Sequence, residues 1–294
     1  MSPLILVIGA NGRVGRTVVD VLLSHGVRPR LMVRDSDAAQ QRFGSQVDIT
    51  SGDICDLAAL QTAVDGASAV FLCTPVDPDQ VAMQANVITA VKDVGAHLVK
   101  VSGLATFPGS FVDSGRWHAE TETAAAAVGL SYTFLHPYFF TQNLLFQLAT
   151  VREKGVLSAA VDDAKIAMVD TRDIAAVSAR ILIEPELARN KTLVLTQNVS
   201  LDYEEIAAAF ASVLGRPVTY RRQTIGEVEQ NLRRAGQPDW HIELILQFNR
   251  AFTQGLGSQT SSAINEILGR DPIDLLTSLK DAGSLASDAN PFPN

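Results

Sequence analysis

Short apolar runs alternate with segments of helical periodicity over roughly the first half of the chain. Leu4–Ile8 is a continuous apolar run, which is typical of a strand buried on both faces of a parallel sheet. The next segment repeats its valines and leucines at helical spacing and ends at His25-Gly26. Further strands are predicted at Arg30–Val33, Val47–Ile49, Ala69–Cys73, Leu98–Val101 and Tyr132–Leu135, and helices at Leu57–Val64, Gln80–Val94 and Trp117–Val128. This alternation predicts right-handed crossovers and an α/β fold with a doubly wound parallel sheet.

The pattern changes beyond about Phe139, where helical periodicity dominates. Helices are predicted at Phe140–Glu153, Arg172–Glu184, Tyr203–Leu214, Glu227–Ala235 and Trp240–Phe252, and short strands at Lys165–Val169, Thr192–Leu195 and Val218–Arg221. Asp202 with Glu205, and Thr224 with Glu227, have the spacing of capping boxes and support two of the helix starts. No linker rich in Pro, Gly or Ser separates the halves. We therefore expect a smaller lobe packed over the carboxyl edge of the sheet, with a cleft between the lobes.

Composition narrows the classes of partner. The chain has 294 residues, of which 47% are hydrophobic, and a formal net charge of −8, which disfavours nucleic acid as a partner. No stretch is long and apolar enough to span a bilayer, and the apolar opening MSPLILVIGANG lacks the basic leader and cleavage site of a signal peptide. Cys55 and Cys73 have no metal or redox spacing. We expect a cytoplasmic protein without disulfides or a membrane partner; a homodimer is left open.

A glycine-rich segment follows the first strand and opens the first helix. In this context the spacing predicts a dinucleotide-binding turn: the first glycine permits the tight turn, the second the approach of a pyrophosphate, and the third close helix packing. The predicted cofactor-binding residues of this segment are Gly9, Asn11, Gly12, Arg13, Val14 and Gly15. A tight strand-to-helix turn in another α/β protein is the alternative. We predict a Rossmann-type NAD(P)-binding domain at residues 1–150, a smaller, mainly helical substrate-binding lobe at 151–283, partly interleaved with the first, and a tail at 284–294.

The ends of the later strands hold further candidate cofactor ligands. Arg34 follows the second strand and suits the 2′-phosphate of NADP, while Asp35 suits the ribose hydroxyl of NAD; the order favours NADP(H) and keeps NAD(H) possible. Either residue is alternatively a solvated loop charge. Asp53 is placed near the adenine, with a helix cap as the alternative, and Thr74 is placed near the pyrophosphate or ribose by the strand-end rule.

The reaction is expected past the fourth to sixth strands. Ser102 follows the fifth strand and is a predicted cofactor-binding residue; in the reaction its hydroxyl at most orients substrate. The predicted catalytic residues are His118, on the next helix, and Tyr138, which follows the sixth strand. None of the four tyrosines has a lysine four residues on, so the pair that lowers a tyrosine pKa in many dehydrogenases is absent. Hydride transfer to an electron-poor conjugated acceptor needs less acid–base catalysis. His118 could then donate or relay a proton. The alternative is that His118 pairs with Glu122, one turn on. These two residues lack a third metal ligand, and no nucleophile–base constellation supports a hydrolase.

Aromatic residues crowd the same region and suit a flat, apolar substrate. The predicted substrate-binding residues are Phe107, Trp117, Phe139, Phe140 and Asn143, with Phe111 and Tyr138 nearby. Packing of these rings in the core between the lobes is the alternative for each one.

Together these segments resemble the NmrA-like family of atypical short-chain dehydrogenases. The resemblance covers nearly the whole chain, from the glycine segment at 9–15 through Val33–Asp35, His118–Glu122, Tyr132–Pro137 and Val169–Ala175 to Leu214–Val218. It is greatest toward bacterial NADPH-dependent quinone and triphenylmethane-dye reductases. The resemblance implies NADP(H) with Arg34 near the 2′-phosphate, His118 near the nicotinamide and substrate between the lobes. The chain departs from many members at His136, where they have arginine, and lacks the catalytic lysine of the plant benzylic ether reductases.

The residues and the resemblance together favour an NADPH-dependent reductase of a quinone-like or other conjugated aromatic small molecule. The alternative is a non-catalytic NADP(H) sensor that acts through a protein partner, because the family also contains such sensors. An isomerase or epimerase with tightly held nucleotide is disfavoured by the missing tyrosine–lysine pair.

Overall fold

A computed structural model describes residues 3–285 of the chain. The strands are β1 (Ile5–Ile8), β2 (Arg30–Val33), β3 (Asp48–Ser51), β4 (Ala69–Leu72), β5 (His97–Val101), β6 (Tyr132–Pro137), β7 (Phe139–Phe140), β8 (Val156–Ala159), β9 (Ile166–Val169), β10 (Lys191–Leu195), β11 (Ser200–Leu201) and β12 (Thr219–Arg222). The helices are α1 (Arg13–Ser24), α2 (Ser36–Phe43), α3 (Leu57–Val64), α4 (Gln80–Val94), α5 (Asp113–Ala127), α6 (Leu148–Lys154), α7 (Thr171–Ile183), α8 (Tyr203–Leu214), α9 (Ile225–Arg234), α10 (Asp239–Thr253), α11 (Ala263–Leu268) and α12 (Leu275–Leu285). Short 3₁₀ turns occupy Gly44–Gln46, Thr141–Gln147 and Pro185–Leu187.

The chain divides into two compact units. The first holds the described residues up to Pro137, together with Thr171–Val194 and Ala263–Gly269. The second holds Tyr138–Asp170, Leu195–Ser262 and the described residues from Arg270 onward. The chain therefore leaves the first unit after β6 and returns to it for α7, most of β10, and α11.

A seven-stranded sheet forms the centre of the first unit, in the order β10-β6-β5-β4-β1-β2-β3. Strands β1 to β6 pair in parallel wherever they are neighbours. Strands β1 and β4 are buried at every position, and their apolar side chains pack against α3 and α4. The predicted α/β fold with a doubly wound parallel sheet is thus confirmed. Because β2 lies on one side of β1 and β4 on the other, the strand order reverses at the carboxyl end of β1, where such sheets bind ligands.

The second unit contains two small sheets and several helices. One sheet has the order β11-β9-β7 and the other pairs β12 with β8 in parallel. The capping boxes predicted from sequence are present at the starts of α8 and α9. The helix predicted at Phe140–Glu153 is interrupted: a short strand and a 3₁₀ turn precede α6, and Gln147 at the junction bonds the backbone of Ser158 at both its amide atoms.

Two sequence predictions concern the chain ends. The opening apolar run forms β1, as expected for a buried strand. The tail predicted at 284–294 lies outside the described residues except for its first two positions, which belong to α12. No helix in the described part of the chain is long and apolar enough to cross a membrane.

A histidine at the start of β5 is held neutral by burial, and its hydrogen bonds fix its tautomer. His97 contacts Ser131 Oγ through Nδ1 at 2.8 Å and Thr133 Oγ1 through Nε2 at 3.0 Å. Thr133 Oγ1 donates to the carbonyl of Ala188, and Ser131 Oγ accepts from Arg189, so the serine proton goes to Nδ1 and Nε2 carries the imidazole proton. Burial, with a smaller contribution from Arg189, lowers the pKa of His97 to about 4.

The low pKa of His97 makes the fold sensitive to acid. The unfolded chain takes up a proton near pH 6.5 and the folded chain only near 4, so the free energy of unfolding falls as the pH drops through that window. We expect His97→Gln to make this decline less steep. The change in slope of the free energy of unfolding against pH corresponds to at most one bound proton. Urea unfolding followed by circular dichroism between pH 4 and 7 measures it. Equal slopes for the variant and the parent would refute the assignment.

Candidate functional site

The glycine segment forms a tight turn between β1 and α1. Gly9 has φ +91°, and a Cβ there would lie 2.0 Å from the carbonyl oxygen of Cys73, at the end of β4. A Cβ at Gly15 would lie 2.0 Å from the carbonyl oxygen of Gly9, so the helix packs directly on the turn. The amide of Gly12 closes the turn by donating to Gly9 O at 3.0 Å. The first and third glycines are therefore required by the packing of the backbone.

The start of α1 is prepared for an anion from outside the chain. No side chain caps its first turn and no acidic residue lies there. Instead the helix begins with Arg13, whose pKa is lowered by burial and by Arg16 one turn on, while Val14 anchors the turn in the core. A helix terminus carries unsatisfied N–H groups and partial positive charge, both of which favour an anion there. A pyrophosphate fits this arrangement.

The end of β2 separates the two candidate ribose ligands. The carboxylate of Asp35 accepts from the amide of Ala38 at 2.9 Å and caps α2. The guanidinium of Arg34 is 81% exposed, and the side-chain amide of Asn11 reaches the Asp35 carbonyl at 3.5 Å. The acidic side chain is thus engaged as a helix cap while the basic one is largely exposed, which fits a 2′-phosphate better than a 2′-hydroxyl.

Asp53 and Thr74 follow the next two strands. Asp53 Oδ1 accepts from the amide of Cys55 at 2.8 Å, which is the main cause of its lowered pKa, and Oδ2 lies 3.9 Å from Arg34 Nε. The residue that caps α3 is Asp56, so Asp53 does not have the capping role considered as its alternative. Thr74 Oγ1 accepts from Gln84 Nε2 at 2.9 Å. The cofactor contacts of Asp53 and Thr74 remain predictions.

A group of polar side chains lies at the carboxyl ends of β5 and β6 beneath α5, all within the first unit. This polar cluster consists of Gln80, Lys100, Ser102, His118, Glu122 and His136. Lys100, next to the last residue of β5, is fully buried. Its Nζ lies 2.6 Å from Ser102 Oγ, 2.9 Å from His118 Nδ1 and 3.8 Å from Glu122 Oε1. Ser102, His118 and Glu122 therefore share one buried ammonium group.

The remaining contacts extend the cluster in two directions. Ser102 Oγ donates to Glu122 Oε1, and the same carboxylate contacts His136 Nε2 at 2.9 Å and 3.1 Å. On the other side, the amide nitrogen of Gln80 lies 2.9 Å from His118 Nδ1. Both Ser102 and His118 are site residues predicted from the sequence, and the structure brings them together through Lys100.

The environment sets the protonation of each member. Burial lowers the pKa of Lys100 to about 8, against the opposing attraction of Glu122. Burial also holds the pKa of His118 well below its usual value, and the charges of Lys100 and His136 add to this. Burial alone would raise the pKa of Glu122, but its hydrogen bond and charge interaction with His136 bring the pKa below the usual value. At neutral pH the cluster holds a cationic lysine, an anionic glutamate and a neutral His118.

The alternative that pairs His118 with Glu122 one helical turn on is wrong. His118 turns to Lys100 and Gln80, whereas Glu122 turns to Ser102 and His136. Lys100 is not among the site residues predicted from the sequence, because the apolar run around it has the pattern of an ordinary buried strand. The signal was present: a lysine inside a strand that is apolar on both sides needs a buried partner.

The predicted aromatic residues fall in both units. Phe107, which is 42% exposed, and the half-buried Trp117 belong to the first unit. In the second unit Phe139 packs edge-to-face on Phe252, with ring centroids 5.8 Å apart, and burial raises the pKa of the neighbouring Tyr138. The second unit also holds Phe140 and Asn143. Their roles, and the catalytic role of Tyr138, remain predictions.

Other chemistries find no support in the described residues. They contain no group of three or more His, Cys, Asp or Glu side chains placed to hold a metal ion. Both Cys55 and Cys73 are free thiols, and burial raises the pKa of Cys73 to about 11.

Comparison with known proteins gives consistent matches over the chain. The model of the NmrA-like family matches residues 1–267. An NAD(P)H azoreductase of Xenophilus azovorans is 35% identical over 237 residues, which cover 80% of this chain and 82% of that protein. The Escherichia coli NADPH-dependent quinone oxidoreductase complexed with NADPH superposes with a TM-score of 0.87 at 25% identity, covering 95% and 99% of the two chains. The Citrobacter sp. triphenylmethane reductase complexed with NADP(H) superposes with a TM-score of 0.85 at 26% identity and the same coverage.

Proposed function

The chain belongs to the NmrA-like family, and we propose that it is an NADPH-dependent reductase that transfers hydride to quinone-like or other conjugated aromatic small molecules. The observation that carries the proposal is the glycine turn packed between β4 and an uncapped α1, in a chain whose relatives are NAD(P)H-dependent reductases. The names of these relatives indicate an azo compound, a quinone and a triphenylmethane dye. All three compounds share an electron-poor conjugated system.

The residues of the first unit fit the parts of the cofactor. The amides at the start of α1, with Gly12 and Arg13, would hold the pyrophosphate, and Arg34 would meet the 2′-phosphate. Thr74 and Ser102 follow β4 and β5 and would lie along the cofactor toward its reactive end. A cytoplasmic location and a homodimer remain predictions from the sequence.

NADPH supplies a hydride when bound, and the chain supplies orientation and protons. A neutral His118 accepts at Nδ1 from Lys100, so its own proton sits on Nε2. The acceptors differ in their need for that proton. A cationic dye becomes neutral on taking up hydride alone, whereas a quinone is left with a negative oxygen that must be protonated.

Oxidation of NADPH tests the proposal directly. We expect the nicotinamide absorbance to fall when the protein is mixed with NADPH and a quinone or a cationic triphenylmethane dye, and NADH to be used more slowly. Fluorescence titration measures NADPH binding in parallel. Binding without turnover on either acceptor would contradict the reductase and would favour an NADP(H) sensor that acts through a protein partner.

Arg34→Gln tests the cofactor preference. We expect KM for NADPH to rise about 10- to 100-fold, because a charge-assisted contact contributes about 1.5–3 kcal/mol, and KM for NADH to stay nearly constant. Arg42→Gln is the matched control, since Arg42 is a partly exposed arginine on α2 that pairs with Asp20. An equal change with both cofactors would rule out the assigned contact.

A further inference from the structure

The polar cluster forms a continuous line of hydrogen bonds that begins near solvent. His136, whose side chain is 12% exposed, contacts Glu122; Glu122 accepts from Ser102; and Ser102 accepts from Lys100 at 2.6 Å. Lys100 then reaches His118 Nδ1 at 2.9 Å. Every link is within hydrogen-bond distance, and every member can gain, lose or pass a proton.

We propose that this line is a proton relay, in which Lys100 supplies through His118 the proton that a quinone-like acceptor needs after it receives hydride. The proposal rests on the proposed function and names the proton source for that reaction. Overall, NADPH, a quinone and one proton yield NADP⁺ and a hydroquinone. The hydride brings both electrons, and the anionic oxygen takes the proton from His118 Nε2. As that N–H bond breaks, Nδ1 takes a proton from Lys100, and solvent restores the Lys100 ammonium by way of His136, Glu122 and Ser102. After the product leaves, His118 returns to its starting tautomer by losing the Nδ1 proton to this line and taking one from solvent at Nε2, so that one proton is consumed in each turnover.

The geometry at His118 suits the transfer of a proton through its imidazole ring. An ammonium group can only donate, so the contact from Lys100 makes Nδ1 the acceptor and leaves the proton on Nε2. Within the described part of the chain, Nε2 has no hydrogen-bond partner, although His118 is only 6% exposed. One ring nitrogen thus faces the proton source, while the other has no hydrogen-bond partner among the described residues.

The surroundings of Lys100 bring its pKa toward neutrality. Glu122 and His118 face it from α5, His136 from β6 and Cys73 from β4. The pKa of Cys73 is raised by burial to about 11, and that of Glu122 is lowered, so neither changes charge near pH 8. The pKa of Lys100 is about 8, which lets its ammonium lose a proton at low cost.

A buried lysine and glutamate are not needed for stability alone. Replacing a buried ion pair by apolar residues of similar size is often neutral or stabilising, so the pair indicates a role beyond packing. Lys100 does not itself touch the acceptor in this scheme. It is a positioning and relay residue, and its test needs a measurement that a purely structural role would leave unchanged.

Turnover with two different acceptors distinguishes a defect in proton transfer from a defect in hydride transfer. We expect Lys100→Met to lower kcat with a quinone about 100-fold, within the range for loss of a general acid, and to leave kcat with a cationic triphenylmethane dye within about twofold. The dye needs no proton, so it reports hydride transfer alone. Lys92→Met, which removes an exposed lysine of α4, is the matched control and should change neither rate. Equal losses with both acceptors, or none with the quinone, would overturn the relay.

The unmodified protein supplies a second test that does not depend on a variant folding. As the pH rises through about 8, Lys100 loses its proton, so kcat with the quinone should fall while kcat with the dye stays level. Parallel profiles would contradict the relay. If the wild-type protein oxidises NADPH with neither acceptor, the proposed reductase function itself fails.

Nuclear magnetic resonance tests the relay without turnover or cofactor. In the protein with ¹³C-lysine and ¹⁵N-histidine labels, we expect one lysine to titrate near pH 8 and His118 to carry its proton on Nε2. Lys100→Met should remove that lysine signal and shift the Nδ1 resonance of His118. A Lys100 signal that titrates near the ordinary lysine value, or a proton on Nδ1, would refute the proposed proton source. Lys100→Arg keeps the charge but cannot release its proton, so it should not restore quinone turnover.

Discussion

Gly9→Ala is expected to abolish measurable NADPH binding and to destabilise the first unit. The new Cβ would lie 2.0 Å from the carbonyl oxygen of Cys73, and the backbone at φ +91° is one that L side chains rarely adopt. Backbone strain and overpacking each cost about 1–3 kcal/mol, so together we expect a loss of about 3 kcal/mol or more in the free energy of unfolding. To relieve the clash, the turn must move away from β4, which displaces the amides at the start of α1.

Gly26→Ala provides the matched control for this prediction. Gly26 ends the same helix, also has positive φ at +71°, and has no atom within 4 Å of the place that a Cβ would occupy. The control carries backbone strain of about 1–2 kcal/mol without the clash, and NADPH binding should survive. Thermal unfolding and fluorescence titration with NADPH measure the two effects. If Gly9→Ala bound NADPH as tightly as Gly26→Ala, the turn would not be the pyrophosphate site.

Glu122→Leu is expected to cost about 3–5 kcal/mol of stability at pH 7, as removal of one partner of a buried ion pair does. It leaves the fully buried ammonium of Lys100 without its anion and takes an acceptor from Ser102 and His136. The double variant Lys100→Met/Glu122→Leu should recover much of that loss, because no charge then remains buried between β5 and α5. Urea unfolding of the four proteins forms a double-mutant cycle. Additive losses would show that the two groups do not interact.

The same pair predicts how stability depends on pH. The pKa of Lys100 is about 8 in the folded protein and 10.5 as the ordinary lysine value, so the unfolded chain binds more protons between them. The contribution of Lys100 to the free energy of unfolding should therefore rise with pH across that window, while Cys73, whose pKa is raised from 9.0 to about 11, opposes it above pH 9. The difference in slope between the wild-type protein and Lys100→Met isolates the lysine. Equal slopes for the two proteins would mean that Lys100 keeps an ordinary pKa.

Much of the sheet and its helices follows from local patterns. The buried strand β1, the helical face of α1 and the capping boxes of α8 and α9 are each encoded within a few neighbouring residues, as a run, a period or a cap. Patterns of this kind depend on backbone geometry and on which side of an element is buried, so they can be recognised before the fold is known. Element ends were less certain, as α5 shows by beginning at Asp113, four residues before its predicted start.

The candidate site likewise has some features that follow from local sequence and others that only the structure shows. The glycine turn is a local feature that follows from residue spacing, whereas the engagement of the Asp35 carboxylate could be seen only in the structure. Only the observed cap on α2 shows that the Asp35 carboxylate is already engaged. The same holds for Asp53, since the cap of α3 is supplied by Asp56.

By itself, the sequence determined the doubly wound sheet, the position of the glycine turn and the family. These depend on short-range spacing and on the burial of whole elements. The tertiary structure decided which polar side chains meet: Lys100, Glu122 and His136 come from β5, α5 and β6 and share a buried site only because these elements pack together. It also brought α7 back against α1 after the chain had passed through the second unit. Contacts between residues far apart in sequence depend on how elements pack, and no local period encodes that packing.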